Sequence, residues 1–373
     1  MAALDSQLAE TSDAGRLGAR RAVGLWLLAC AAMVFVMAVV GAITRLTESG
    51  LSIMEWAPLM GTLPPFTEAE WLRLFMLYQE TGEYRASGGA MDLPEFKTIF
   101  WWEYIHRLWG RLIGLVFGGG FLWFLLTGRL ERRLVGPLAL LFALGGLQGF
   151  LGWYMVASGF SARTDVSQYR LVIHLSLAVA IYAALLWTVF GLLDPRSPAR
   201  TDARAGDATR RPEPAWPRNG ALALCLLIAT TLVSGGFVAG LDAGFIYNSF
   251  PLMGGELVPA DYAAGEQESW IVNAFENPTA AQLHHRALAV LTLAAALALW
   301  LASCVARLPD ALGRALALPM ALVGLLALLQ FGLGVVTLLL VVPVWLGSLH
   351  QGCALLLLGA ALWALHRGRR TAP

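Results

Sequence analysis

Four of the six histidines are placed to do chemistry: His106, His174, His285 and His350. Each falls in an apolar stretch, where a polar ring is costly and usually marks function. A neutral imidazole ligates metals well, and two imidazoles facing each other across a helix bundle form an axial pair for a heme iron. A lone membrane histidine is as readily an interhelical hydrogen-bonding group. Four at matched positions favour the heme reading. Zinc wants more ligands than two imidazoles, and no nearby Cys or Asp completes such a shell. His284 competes with His285, but Glu103-x-x-His106-Arg107 aligns with Gln282-x-x-His285-Arg286 and favours His285. His366, in the basic C-terminal tail, reads as a solvent-side residue.

Glu103 lies three residues before His106 and so on the same helix face. A carboxylate beside a heme can transfer protons or stabilise developing positive charge, and the amide at the matching Gln282 does neither well. The first half therefore reads as the site of chemistry and the second as the holder of a permanent cofactor. The plainer alternative is a carboxylate capping a helix N-terminus. Arg107 and Arg286 follow the histidines, and with Arg45 and Arg170 they are candidate partners for heme propionates. Snorkelling anchors are the alternative. Gln148 and Gln330 read as interhelical hydrogen-bonding groups, and Gly118-Gly119-Gly120 and Gly235-Gly236 as close helix packing.

The elements that position these residues are membrane spans. Apolar residues make up 58% of the 373 and charged residues only 14%, with a mean hydropathy of +0.64. Soluble domains carry about 25% charged residues. A net charge of +1 gives no footing for nucleic acid. Eight hydrophobic windows stand near 22–43, 104–126, 134–157, 170–193, 220–241, 284–306, 315–341 and 343–365. Basic residues before the first window, between the second and third, between the fourth and fifth, between the sixth and seventh and after the eighth all fall on one side. That side reads as cytoplasmic, with both termini inside. The stretch before the first window carries Asp5, Glu10 and Asp13 and does not resemble a transit or signal peptide, so a bacterial inner membrane is the expected home. Cys30, Cys225, Cys304 and Cys353 fall in or at the ends of spans, so no disulfide in an outer loop is expected.

The chain repeats itself. Pro58-Leu59-Met60-Gly61 recurs as Pro251-Leu252-Met253-Gly254, and His106-Arg107 as His285-Arg286. Gln148 and Gly152 recur as Gln330 and Gly334, and His174 as His350, all in the same order. The fold class expected is an all-α polytopic membrane protein, eight helices forming two pseudo-twofold-related four-helix bundles. Residues 1–193 form the N-terminal unit with an outer loop over 44–103. Residues 194–219 form a cytoplasmic linker, and 220–373 the C-terminal unit with an outer loop over 242–283. Trp56, Pro58, Pro64, Pro65 and Trp71 predict a folded lid in the first loop, with a short helix over 68–79.

At these residues the chain resembles the heme A synthase family. The segments that carry the resemblance are Gly41-Ala-Ile-Thr-Arg-Leu-Thr-Glu-Ser-Gly50-Leu-Ser-Ile, Glu103-Tyr-Ile-His106-Arg107, Gln148-Gly-Phe-Leu-Gly152, His285-Arg286 and His350-Gln351. The resemblance implies oxidation of a heme O ring methyl to a formyl group, giving heme A for cytochrome oxidase. Two hydroxylations yield a geminal diol, which loses water. His106 and His174 would hold the substrate heme, Glu103 would assist its oxidation, and His285 and His350 would ligate a resident heme b. It also implies a heme O synthase and an electron donor as partners, and homo-oligomers. Some bacterial members carry an outer-loop cysteine pair that this chain lacks, which points to the cysteine-free proteobacterial and mitochondrial-like branch. The competing readings are a diheme b-type electron carrier, which leaves the Glu103/Gln282 difference unexplained, and a transporter, which expects ionisable residues near the midplane.

Overall fold

A computed structural model describes residues 2–55, 62–86, 88–159, 166–194, 214–263 and 269–369. Among them the helices are α1 (Ala2–Leu46), α2 (Glu68–Gln79), α3 (Gly82–Ala86), α4 (Leu93–Leu126), α5 (Arg132–Gly159) and α6 (Gln168–Leu193). The second half continues with α7 (Trp216–Gly240), α8 (Trp270–Glu276), α9 (Pro278–Val305), α10 (Asp310–Leu339) and α11 (Val344–Arg369). The described residues form no β-strand. Eight helices, α1, α4, α5, α6, α7, α9, α10 and α11, are long and apolar enough to cross a membrane. They coincide with the eight expected windows.

Two boundaries differ from expectation, for one reason. α4 begins at Leu93, where Asp92 and Glu95 form a capping box and Pro94 sits in the first turn. The first outer loop thus ends at Asp92 rather than at Glu103. Glu103 and His106 lie well inside the helix, not at its opening, which removes the helix-cap explanation for Glu103. The outer turns of α4 escape a hydropathy window because they pack on protein. Phe96, Ile99, Phe100 and Tyr104 join Trp71 and Tyr78 in a separate aromatic core. α9 likewise starts at Pro278, with the Asn277 side chain accepting from the amides of Thr279 and Ala280, so the second loop ends before 278 and His285 lies about two turns in.

α2 spans the expected residues and opens on a Thr67–Glu70 capping box. Trp56 and the first Pro-Leu-Met-Gly copy lie outside the described residues, as do Arg196, Arg200, Arg204, Arg210 and Arg211 of the expected linker. Arg218 is already inside α7. His366 is not at the solvent. It is 6% exposed, its ring packed on Trp187 and Phe190, because α11 continues as a buried helix through the basic tail.

Helix contacts come in matched pairs. α1 packs on α4 and α6 as α7 packs on α9 and α11, α5 on α6 as α10 on α11, and α4 on α5 as α9 on α10. The units meet where α1 touches α11, α6 touches α7, and α6 touches α11. At the loop-bearing end, Arg45 Nη2 donates to both carboxylate oxygens of Asp242, each at 2.8 Å, and Gln168 Nε2 donates to Glu276 at 2.7 Å.

Within the first outer loop, Tyr78 donates to Glu83 at 3.3 Å. Burial is the main cause that pushes the Glu83 carboxyl up, to about 7. The folded loop therefore keeps a proton that an unfolded loop releases, and stability falls as pH rises from the ordinary glutamate range through about 7. Glu83→Gln should melt higher than wild type at pH about 8 and lose that advantage at about 5, read by thermal shift in detergent. Parallel melting at both pH values would remove this dependence.

Candidate functional site

Two of the predicted histidines come together in the second unit. His285 on α9 faces His350 on α11, with ring centroids 6.4 Å apart and planes at 83°. His106 on α4 and His174 on α6 take the corresponding places in the first unit, each ring set against a glycine of the preceding span. All four rings are half-buried. His284 points elsewhere: Tyr262 Oη lies 3.2 Å from its Nε2, inside a loop network of Asn273, Asn277 and Asp261. His285, not its neighbour, is therefore the residue that pairs with His350.

Does this arrangement suit a porphyrin iron? Two metal–imidazole bonds of about 2.0 Å end to end, plus the ring radii, give a centroid separation of about 6.3 Å. The 6.4 Å of His285 and His350 is of that size, and Gln330 Nε2 stands 3.3 Å from His350 Nε2 beside it. Buried Nδ1 atoms of His106, His174 and His350 have no hydrogen-bond partner. Among the described residues no three His, Cys, Asp or Glu side chains cluster to bind a bare metal ion. Two imidazoles alone suit a metal whose other ligands come from a macrocycle.

The residues around the pairs repeat in detail. In the first unit Arg107 donates to the carbonyls of Ile53 and Glu55 and, at 2.6 Å, to Glu103 Oε1. In the second, Arg286 donates to the carbonyls of Tyr247 and Ser249 and, at 3.1 Å, to Gln282 Oε1. Both arginines thus clamp the chain that leaves the first helix of their unit. That chain turns in each case through a left-handed residue, Glu48 (φ 51°) or Asp242 (φ 52°).

The difference lies one atom away. Glu103 Oε2 accepts from Ser52 Oγ and from the Ile53 amide, both at 2.7 Å. Gln282 Nε2 instead donates to the carbonyls of Ala243 and Tyr247. Glu103 is 3% exposed, so this is a buried carboxylate with three donors on it. Such a group is held in place, and it offers a carboxyl where its counterpart offers an amide.

The four arginines raised as propionate partners are engaged by protein. Arg45 is on Asp242, and Arg107 and Arg286 are on loop carbonyls. Arg170 donates to the Tyr154 carbonyl and lies over its ring at 3.9 Å. The Nε of Arg286 remains buried without a partner. Gln148 donates to the His174 carbonyl, and Gln330 Nε2 lies 3.3 Å from His350 Nε2, so both glutamines join neighbouring spans.

Sequence reasoning missed Ser52, the Ile53 amide and Ser234. Ser234 Oγ sits 2.8 Å from His285 Nδ1, a hydrogen bond that holds the plane of the imidazole. Val40 stands at the corresponding place before Gly41, and no signal short of the repeat alignment marks the serine.

Fold and site together define a polytopic helical membrane protein built around paired intramembrane histidines. Residues 24–362 match the COX15-CtaA family, cytochrome oxidase assembly protein. Three similar relatives are named heme A synthase. The protein of Rhodospirillum centenum is 51% identical over 93% of this chain and 88% of its own. That of Paramagnetospirillum magneticum is 46% identical, and that of Nitrosospira multiformis 43%, each over 95% of this chain and 96% of its own. The chain belongs to the COX15-CtaA family of cytochrome oxidase assembly proteins.

Proposed function

We propose that this protein is a heme A synthase, oxidising a ring methyl of heme O to a formyl group to supply heme A for cytochrome oxidase. The observation that carries the reading is the set of four histidines at matched helix positions, with a buried carboxyl on the helix face of only one of them. His106 and His174 hold the substrate heme in the unit of residues 1–193. His285 and His350 hold a resident heme b in the unit of residues 220–373. That heme, when bound, supplies one-electron transfer. The paired helix contacts support a pseudo-twofold relation between the two units, joined by the segment 194–219.

Packing supports this division of labour. The apolar 18-residue stretch of each span in the first unit has a smaller buried share than that of its counterpart: α1 28% against 39% for α7, α4 11% against 17% for α9, α5 11% against 22% for α10, α6 33% against 67% for α11. A site that must admit substrate and release product gains from looser walls, and a permanent site from tight ones. Ser234 fixing His285, with no equivalent at Val40, points the same way.

Glu103 is the catalytic carboxylate. Ser52, the Ile53 amide and Arg107 hold it in one place, from which it stabilises positive charge on the reacting methyl carbon or takes its proton. Arg286, through its remaining Nε, is the propionate contact in the second unit. In the first unit, Arg45, Arg107 and Arg170 would meet propionates only by sharing their present partners.

The protein sits in a bacterial inner membrane with both termini cytoplasmic, receives substrate from a heme O synthase and electrons from a donor, and assembles with copies of itself. Chromatography of hemes extracted from protein purified from an active host tests the reading. Heme b with substoichiometric heme O or A is expected. Heme b alone, filling both sites, would leave a diheme electron carrier.

A further inference from the structure

Every one of the four histidines rests its ring on a glycine of the preceding span. His106 lies on Gly41 of α1, His174 on Gly152 of α5, His285 on Gly235 of α7 and His350 on Gly334 of α10. A Cβ added at these glycines would come within 3.1, 3.2, 3.1 and 2.8 Å of the ring Cε1. Of the other glycines on these helices, Gly146, Gly149 and Gly332 face open space, while Gly24, Gly220, Gly236, Gly240 and Gly324 pack against other side chains and none of them meets an imidazole. Close approach to an imidazole is therefore a property of these four positions, not of glycine-rich spans in general.

We infer that Gly41, Gly152, Gly235 and Gly334 are positioning residues for iron ligation, each seating one imidazole so that it and its partner can share an iron. The inference rests on the reading of the histidines as heme ligands. An imidazole turns broadly about its outer torsion, so something must hold its plane. In metal sites that is ordinarily a hydrogen bond to the second ring nitrogen. Here Nδ1 of His106, His174 and His350 has no such partner. The glycine floor takes the place of the missing bond for His106 and His174, and acts together with Gln330 Nε2, 3.3 Å from Nε2, at His350. A methyl there pushes the ring toward the space the porphyrin needs, and a ring tied to iron has little freedom to retreat. Gly334 is the most sensitive position, being the closest to its ring. Gly235 is milder, because Ser234 also holds His285.

The test uses full-length detergent-purified protein carrying Gly334→Ala, with Gly332→Ala on the same helix as control. Alanine is the better helix former, so helix propensity alone predicts no damage from either change. Gly334→Ala should convert low-spin resident heme to high-spin in electron paramagnetic resonance, and transfer of that heme to apomyoglobin should reveal about tenfold weaker retention. Gly332→Ala should match wild type in both measurements. Should Gly334→Ala fail to accumulate, Gly235→Ala decides through a changed low-spin signal. Wild-type g-values and retention in the glycine variant that accumulates would overturn the positioning role. Absence of a low-spin signal from wild type and Gly332→Ala alike would instead overturn the ligand reading beneath it.

Discussion

Replacing Glu103 by glutamine lowers conversion of heme O to heme A by about a hundredfold or more while both hemes stay bound, the scale on which a positioned acid–base group acts. Glutamine is the informative replacement because the molecule already uses it: Gln282 occupies the matching place in the second unit and bonds the matching arginine. Alanine is a poorer test. Glu103 accepts from Ser52, from the Ile53 amide and from Arg107, and alanine would strand all three donors in a buried site. A glutamine oxygen still serves the loop, and the mismatch of its amide with one remaining donor costs about 1–3 kcal/mol. The loop stays seated, so lost turnover reports on the carboxyl group rather than on folding. Heme content by pyridine hemochrome and product by chromatography separate the two. Near-normal heme A output from a variant with full heme content would reduce Glu103 to a clamp for the loop, as Gln282 is.

The eight spans and the order of the histidines are legible in the sequence because hydropathy and repetition are properties of the chain alone. α2 is legible to its ends because Thr67 and Glu70 satisfy each other's backbone locally. The start of α4 is not. Its outer turns are stabilised by Trp71 and Tyr78, which arrive from a loop far back in the chain. The role of Arg107 and Arg286 was hidden for a related reason. Their partners are carbonyls, and carbonyls carry no sequence signal. The choice of His285 over His284 was legible through the repeat, since both units keep the same spacing from the Glu103 or Gln282 position. The glycine floors were half visible: Gly152 and Gly334 recur as a repeat pair, but that the opposing surface is an imidazole emerges only from the packing.

Replacing His350 by glycine strips the resident heme from the second unit, and added imidazole restores it. Both halves of this expectation follow from where His350 sits. α11 is the most buried span and packs on α1, α6, α7 and α10. Ala354, Leu355, Leu357 and Leu358 anchor it one turn or more beyond the histidine. Removing one half-buried ring leaves that anchorage intact, so the helix stays and a ring-sized space opens opposite His285. Iron held by His285 alone lacks its second axial ligand, and heme retention falls by about tenfold or more. Free imidazole fits the space and completes the pair without any covalent tie to α11. A purely structural histidine would behave otherwise, since its loss would loosen packing that a diffusible ring cannot restore. The measurement is the low-spin absorption of the purified variant, with and without imidazole, normalised to protein. Retention of a full low-spin heme without imidazole would remove His350 from the ligand set and leave the second unit without its iron site. The same experiment at His174 leaves the resident heme in place and weakens only substrate binding, which separates the two sites within one chain.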